Sequence, residues 1–288
     1  MHRLNESSLE ELIVDQMVEG GWTEGATADF DAAYALDLGH LTTFIEETQP
    51  NAAKALSLAE SPPGRHKFLA RLQGEITKRG VVHLLRNGVD HLGQHIDLYY
   101  PSATDGNAKA AELFAANRFV VTRQVHHSPS NRGDAVDLVA FVNGLPVFTF
   151  ELKNNITKQT FDDAIEQYKR DRDPRELLFQ FGRCIAHFAL DDQQARFCTQ
   201  LKGKQSWFLP FDKGWNDGAG NPPNPDGLKT DYLWREILAP ASLANVVENY
   251  AQIVSSKNER SGRKTSAQIF PRYHQLDVVR KLLADVEV

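Results

Sequence analysis

The chain has 288 residues, 41% of them hydrophobic, which is enough to bury a sizeable core; its formal charge of −6 argues against a simple basic nucleic-acid binder. No run approaches the roughly eighteen apolar residues of a spanning helix, and the N-terminal MHRLNESSLEEL lacks the apolar centre of a secretory leader, so a cytoplasmic protein without membrane attachment is expected. Cys184 and Cys198 have neither metal-ligand spacing nor a disulfide framework and read as free thiols.

Leu9, Leu12, Ile13 and Met17 recur at helical spacing up to Gly20-Gly21, which predicts an amphipathic opening helix. Its acidic residues either sit in solvent or reach a site. Residues 29 to 87 read as several short helices broken at Gln49-Pro50 and Ser61-Pro62-Pro63-Gly64, a helical insertion of about 29–92. Residues 93 to 100 read as a strand, 106 to 117 as a helix, and Phe119 to Val125 as another strand. His91 and His95 share the i,i+4 spacing of a helix, yet no third ligand accompanies them, so zinc is not expected. Cations gather at 64–96 (Arg65, Lys67, Arg71, Lys78, Arg79, Arg86) and again at 121–133 with Arg123, His126, His127 and Arg132. They form either a basic surface or ordinary solvated faces.

The stretch from Gly133 to Lys153, GDAVDLVAFVNGLPVFTFELK, holds two apolar runs around Asn143-Gly144 and reads as a β-hairpin. Asp137, Glu151 and Lys153 interrupt those runs, and an ionised group on a buried strand is costly unless paired or bound to a metal. Two carboxylates and a lysine suit a hard divalent cation such as Mg²⁺ beside an amine that orients an attacking water, the outline of phosphodiester hydrolysis. The register decides whether they meet. A plain two-residue loop would put Asp137 opposite Phe150 and Glu151 on the other face; a three-residue loop at 143–145, with Gly144 or a bulge absorbing the extra residue, pairs Asp137 with Glu151. The second register is expected.

Beyond the hairpin, Thr160 to Asp171 reads as a capped helix with Phe161, Ala164, Ile165 and Tyr168 on one face and Gln167 beside it. Cys184 to Leu190 reads as a strand in which His187 is a satisfied core histidine. Residues 207–226 form a Pro/Gly/Asn-rich loop, Leu228–Glu236 and Leu243–Ile253 read as helices, and 255–268 is a polar connector before a last helix that starts after Pro271. Together these elements predict an α/β fold, a mixed β-sheet flanked by helices.

In order and spacing, LEELI, RQVHHS, DLVAFVNGLPVFTFELKNN, DAIEQYKRDRDP, SWFLPFDKG, GNPPNPDG and FPRYHQLDVVRKL resemble the N-terminal nuclease region of the restriction (R) subunit of type I restriction-modification enzymes, over nearly the whole chain. The resemblance implies a RecB-like PD-(D/E)xK restriction-endonuclease-like core with helical additions. It implies Asp137 and Glu151 as ligands of Mg²⁺ or Mn²⁺, Lys153 as the catalytic lysine, and Glu10, or its neighbour Glu11, as an additional acid and metal ligand. Gln167 matches the glutamine of the family's Q-x-x-x-Y element, but Asp171 stands where the tyrosine belongs, so that half is absent or supplied by Tyr168. FPRYHQLD resembles a helicase Q-motif, in which Gln275 would read the adenine of ATP while Tyr273 or Arg272 holds the base. No G-x-x-x-x-G-K-[ST] loop occurs, so this sequence by itself is not an ATP motor.

The implied division is an endonuclease domain at 1–254, a linker at 255–268 and, at 269–288, the truncated start of a helicase motor. The implied activity is non-specific cleavage of DNA coupled to ATP-driven translocation, in a complex with modification (M) and specificity (S) subunits that use S-adenosylmethionine. The fragment alone is expected to cut weakly or not at all. The alternatives are a stand-alone repair nuclease and a catalytically silent docking module.

Overall fold

The computed structural model describes residues 6–58, 62–103, 106–129, 131, 133–154, 158–257 and 264–286. Arg132 and residues 258–263, which figure in the expectations above, lie outside the described residues. In chain order, helix α1 (Glu6–Glu19) is followed by the short strands β1 (Thr23–Glu24), β2 (Phe30–Asp31) and β3 (Leu36–Asp37) and by helices α2 (Leu38–Thr48), α3 (Pro50–Leu56), α4 (Pro62–Arg79) and α5 (Val81–Asn87). Next come β4 (Val89–His91), β5 (Gln94–Ile96), α6 (Ala108–Ala115), β6 (Phe119–His126), β7 (Ala135–Val142), β8 (Leu145–Leu152), α7 (Phe161–Arg170) and β9 (Ala186–Leu190). The chain continues through β10 (Ala195–Cys198), β11 (Leu209–Pro210), α8 (Pro240–Asn245), β12 (Gln252–Lys257), β13 (Lys264–Ile269) and α9 (Tyr273–Val286).

Seven strands form one mixed sheet in the order β1-β6-β7-β8-β9-β10-β11, with β1/β6 and β8/β9 parallel and the other pairs antiparallel. The expected α/β class, a mixed sheet flanked by helices, is what the chain adopts. All eight residues of the central strand β8, LPVFTFEL, are buried, as expected where both faces of a strand are covered. On one face Phe148, Phe150, Phe188, Phe197, Phe211 and Phe270 build an aromatic cluster beneath α1, α5 and α8, with Phe150 stacked on Phe188 at 5.5 Å. On the other face Val139, Phe141 and Ala189 pack against Ala164 and Tyr168 of α7 and against Ala35.

The hairpin shows how local chemistry sets register. Asn143 at φ +50° and Gly144 at φ +80° make a two-residue turn of the type whose twist suits a hairpin. A side chain at 144 would meet the Asp37 carbonyl at 2.4 Å, so glycine is required there. The Asn143 side chain accepts from the Arg118 amide at 2.6 Å and donates to the Leu98 carbonyl at 3.0 Å, tying the tip into the protein. Phe141 pairs with Pro146 but Ala140 pairs with Phe148, leaving Val147 as a bulge. The loop is therefore shorter than the three residues expected, and the bulge absorbs the extra one, because Val147 and Phe148 both turn toward the aromatic layer. The ladder ends at Leu138 opposite Phe150, and continuing its register by one residue sets Asp137 across from Glu151.

Several local expectations need correcting. Residues 93–100 do not form one strand; Leu92 at φ +49° and Gly93 at φ +75° turn β4 back onto β5. His91 and His95 therefore sit on a hairpin, not a helix, and His95 Nδ1 lies 2.8 Å from Asp90. Of the helix expected at 228–236 only a π-helical turn at Leu233–Ile237 forms, whereas the one expected at 243–253 is present as α8 continued by a π-helical turn at Val246–Tyr250, and it ends there because Gln252 is drawn into β12. The polar stretch 255–268 contributes to both strands of the β12–β13 hairpin, where Ser255 and Ser266 bond at 2.9 Å across the ladder.

Candidate active site

The C-terminal end of β8 carries Glu151, and the start of β7 carries Asp137, to the face covered by α7. Asp137 Oδ2 accepts the Leu152 amide at 2.7 Å, which holds its carboxylate against the end of β8. Glu151 is fully buried, and burial first, then the charge of Asp137, pushes its carboxyl up to about 8 against the pull of Arg172 and Lys153. Its Oε1 accepts from Arg172 Nε at 2.6 Å. Its Oε2 has no hydrogen-bond partner among the described residues although it is buried. Lys153, also buried, follows on the same side of the strand, its amide bonded to the Leu190 carbonyl at 2.9 Å.

Glu10 approaches from α1. It is buried whereas its neighbour Glu11 is exposed, so the helix turns Glu10 inward. Its Oε2 accepts from Gln124 Nε2 at 2.7 Å. Gln124 stands between the pairs Arg123–Leu138 and Val125–Val136, hence across from Asp137, and its φ of +48° breaks the alternation of β6. That conformation costs a non-glycine residue about 1–3 kcal/mol and is held only where its surroundings demand it. Glu10 is thus tied to β6 at the position across from Asp137. Glu10, Asp137 and Glu151 do not close to within 4.8 Å of one another; among the described residues the one acid/histidine trio that compact is Asp29, Asp37 and His40 at the start of α2.

Two further layers support Glu151. Tyr168 Oη lies 2.7 Å from Thr149 Oγ1, which in turn lies 2.8 Å from His187 Nδ1. His187 is the buried core histidine expected, and burial alone lowers it to about 3. Tyr168, one helical position after Gln167, is the tyrosine that meets the sheet; Asp171 ends the helix as its C-cap. Gln167 itself is half-buried on α7. Gln275, Arg272 and Tyr273 are not brought to this site. Gln275 Oε1 accepts the Arg272 amide at 3.0 Å at the start of α9, and Tyr273 packs on Phe211 and Tyr232 in the opposite layer.

Sequence reasoning missed Arg172. It is 4% exposed, with Nε on Glu151 and Nη2 on the Ala135 carbonyl at 2.6 Å. Burial disfavours its charge, but Glu151 more than offsets this and holds the guanidinium above its usual range. Nothing local separates it from Arg170, which is exposed and pairs with Glu166 on the helix surface. The one usable signal was the need for a counter-charge near buried acids. The basic surfaces are partly spent on structure: Arg71 and Arg79 both pair with Glu75, Arg86 donates to the carbonyls of Val247 and Ala251, and Arg123 pairs with Glu24.

A carboxylate pair in which one buried oxygen lacks a donor is a ligand set for a hard cation, so the residues present fit a divalent metal. No helix among the described residues is long and apolar enough to cross a membrane. The family model described as the N terminus of the type I restriction enzyme R protein matches residues 3–206. No curated protein matches the chain.

Proposed function

The chain belongs to that family of type I restriction enzyme R protein N-terminal regions, and from this premise we propose that it is a DNA endonuclease domain dependent on Mg²⁺ or Mn²⁺. The observation that carries the reading is the unpartnered, buried Oε2 of Glu151 on the strand facing Asp137. Asp137 and Glu151 would hold the cation, with Glu10 as the additional acid behind Gln124. A bound divalent ion stabilises negative charge developing on a phosphate and lowers the pKa of bound water. Lys153, on the same side as Glu151, orients the attacking water and offsets the charge of the phosphate. The pushed-up Glu151 carboxyl gives up its proton when a cation replaces it, so metal binding releases a proton.

Gln167, half-buried on α7, contacts DNA backbone in this reading. Cleavage is non-specific and coupled to ATP-driven translocation by the complete subunit, within a complex with modification and specificity subunits. Residues 1–254 form the nuclease, 255–268 join it to the motor, and 269–288 begin that motor, with Gln275, Arg272 and Tyr273 serving the adenine of ATP. The test is Asp137→Ala in the reconstituted complex. DNA cleavage should fall by roughly 100-fold or more with ATP hydrolysis intact; a variant that still restricts DNA would overturn the reading.

A further inference from the structure

Two features at Arg172 are not explained by charge neutralisation alone. Its guanidinium is two-pronged, with Nε on Glu151 Oε1 and Nη2 on the Ala135 carbonyl, both at 2.6 Å. Ala135 lies two residues before Asp137 on β7, so this one side chain fastens the strand that carries Asp137 to the carboxylate of Glu151 on β8. It also makes the two oxygens of Glu151 unequal: Oε1 is taken, while Oε2 stays buried and unpartnered. Arg172 follows directly after the C-cap of α7, and nearby His127, buried against Phe179 at 4.7 Å, has its Nδ1 2.5 Å from the Glu176 carboxylate.

We infer that Arg172 is a positioning residue for the cation site: by holding Oε1 and the Ala135 carbonyl together it fixes Oε2 of Glu151 as the oxygen turned to the metal and sets its spacing from Asp137. The inference rests on the metal-nuclease reading. It differs from a plain buried ion pair because only a planar, forked donor spans both acceptors; the ammonium of lysine supplies the charge from a single point. Removing a group that orients a metal ligand lowers metal affinity or activity by about 10- to 100-fold.

The experiment titrates Mn²⁺ into the whole chain and follows free Mn²⁺ by its electron paramagnetic resonance signal, for the wild type, D137A, R172K and R172Q, with thermal melts alongside. R172K should melt close to the wild type yet bind Mn²⁺ about 10- to 100-fold more weakly, and R172Q should bind no better. R172K binding Mn²⁺ like the wild type would show that charge alone suffices and would overturn the inference while leaving the metal reading in place. Unfolding of both Arg172 variants beside a folded D137A would make Arg172 a structural charge and overturn it as well. If the wild type binds Mn²⁺ no better than D137A, the metal reading itself fails and the inference goes with it.

Discussion

Among the described residues two clusters of metal-capable side chains invite comparison, and the tighter one is the less promising. Asp29, Asp37 and His40 bring their donor atoms within 4.8 Å of one another, whereas Asp137 and Glu151 complete no such trio. Yet Asp37 is already employed: Oδ1 accepts the His40 amide and Oδ2 meets His40 Nδ1, each at 2.9 Å, as the N-cap of α2. At β8 the accounting is incomplete, since Glu151 keeps a buried oxygen without a donor. Proximity of ligand atoms says little by itself; an unmet hydrogen-bonding demand in a water-poor place says more.

The contrast can be broken or sharpened by mutation. The largest expected effect is on rate: Lys153→Ala should slow cleavage by the reconstituted complex roughly 100- to 10,000-fold while leaving Mn²⁺ affinity of the chain unchanged. Single-turnover cleavage beside a Mn²⁺ titration checks this, and a loss of affinity would make Lys153 part of the binding set. Next, Glu151→Ala strands the buried Arg172 and should cost about 3–5 kcal/mol in denaturant unfolding. A neutral result would mean that water reaches the guanidinium.

The smallest effect belongs to the other cluster. Asp37→Ala removes a helix cap and should cost about 1 kcal/mol without touching cleavage or Mn²⁺ affinity. It should also flatten a pH dependence. The bond to Asp37 raises His40 above 6.5, so the stability this gives is full below about pH 6.5 and fades as the pH climbs past the folded value. A drop in Mn²⁺ affinity in Asp37→Ala would reverse the ranking of the two clusters.

Much of this was legible before any coordinates. The Asn-Gly turn, the apolar runs beside it and the capped helix after it follow from local chemistry, and α7 forms between Thr160 and Asp171 as its pattern requires. Residues whose role depends on distant partners were not legible. Gln124 looks like any strand glutamine until its positive φ sends it to Glu10, and Arg172 looks like Arg170 until the fold buries one and exposes the other. The strands Ala195–Cys198 and Leu209–Pro210 escaped notice because they are short and join the sheet edge through non-local pairing. The turns near 228–250 were read as regular helices because periodicity does not register a π-helical insertion.

Val147, unpaired in β8, takes up the one residue by which this hairpin exceeds a plain two-residue loop, and the ladder beyond it stays in phase with β7. Deleting that single residue would keep Phe141 opposite Pro146, Ala140 opposite Phe148 and Leu138 opposite Phe150 in a plain two-residue hairpin, so Glu151 would stay on the face of Asp137. A one-residue deletion at 147 should therefore leave cutting intact, and loss of cleavage in that variant would show that the bulge itself shapes the acid pair.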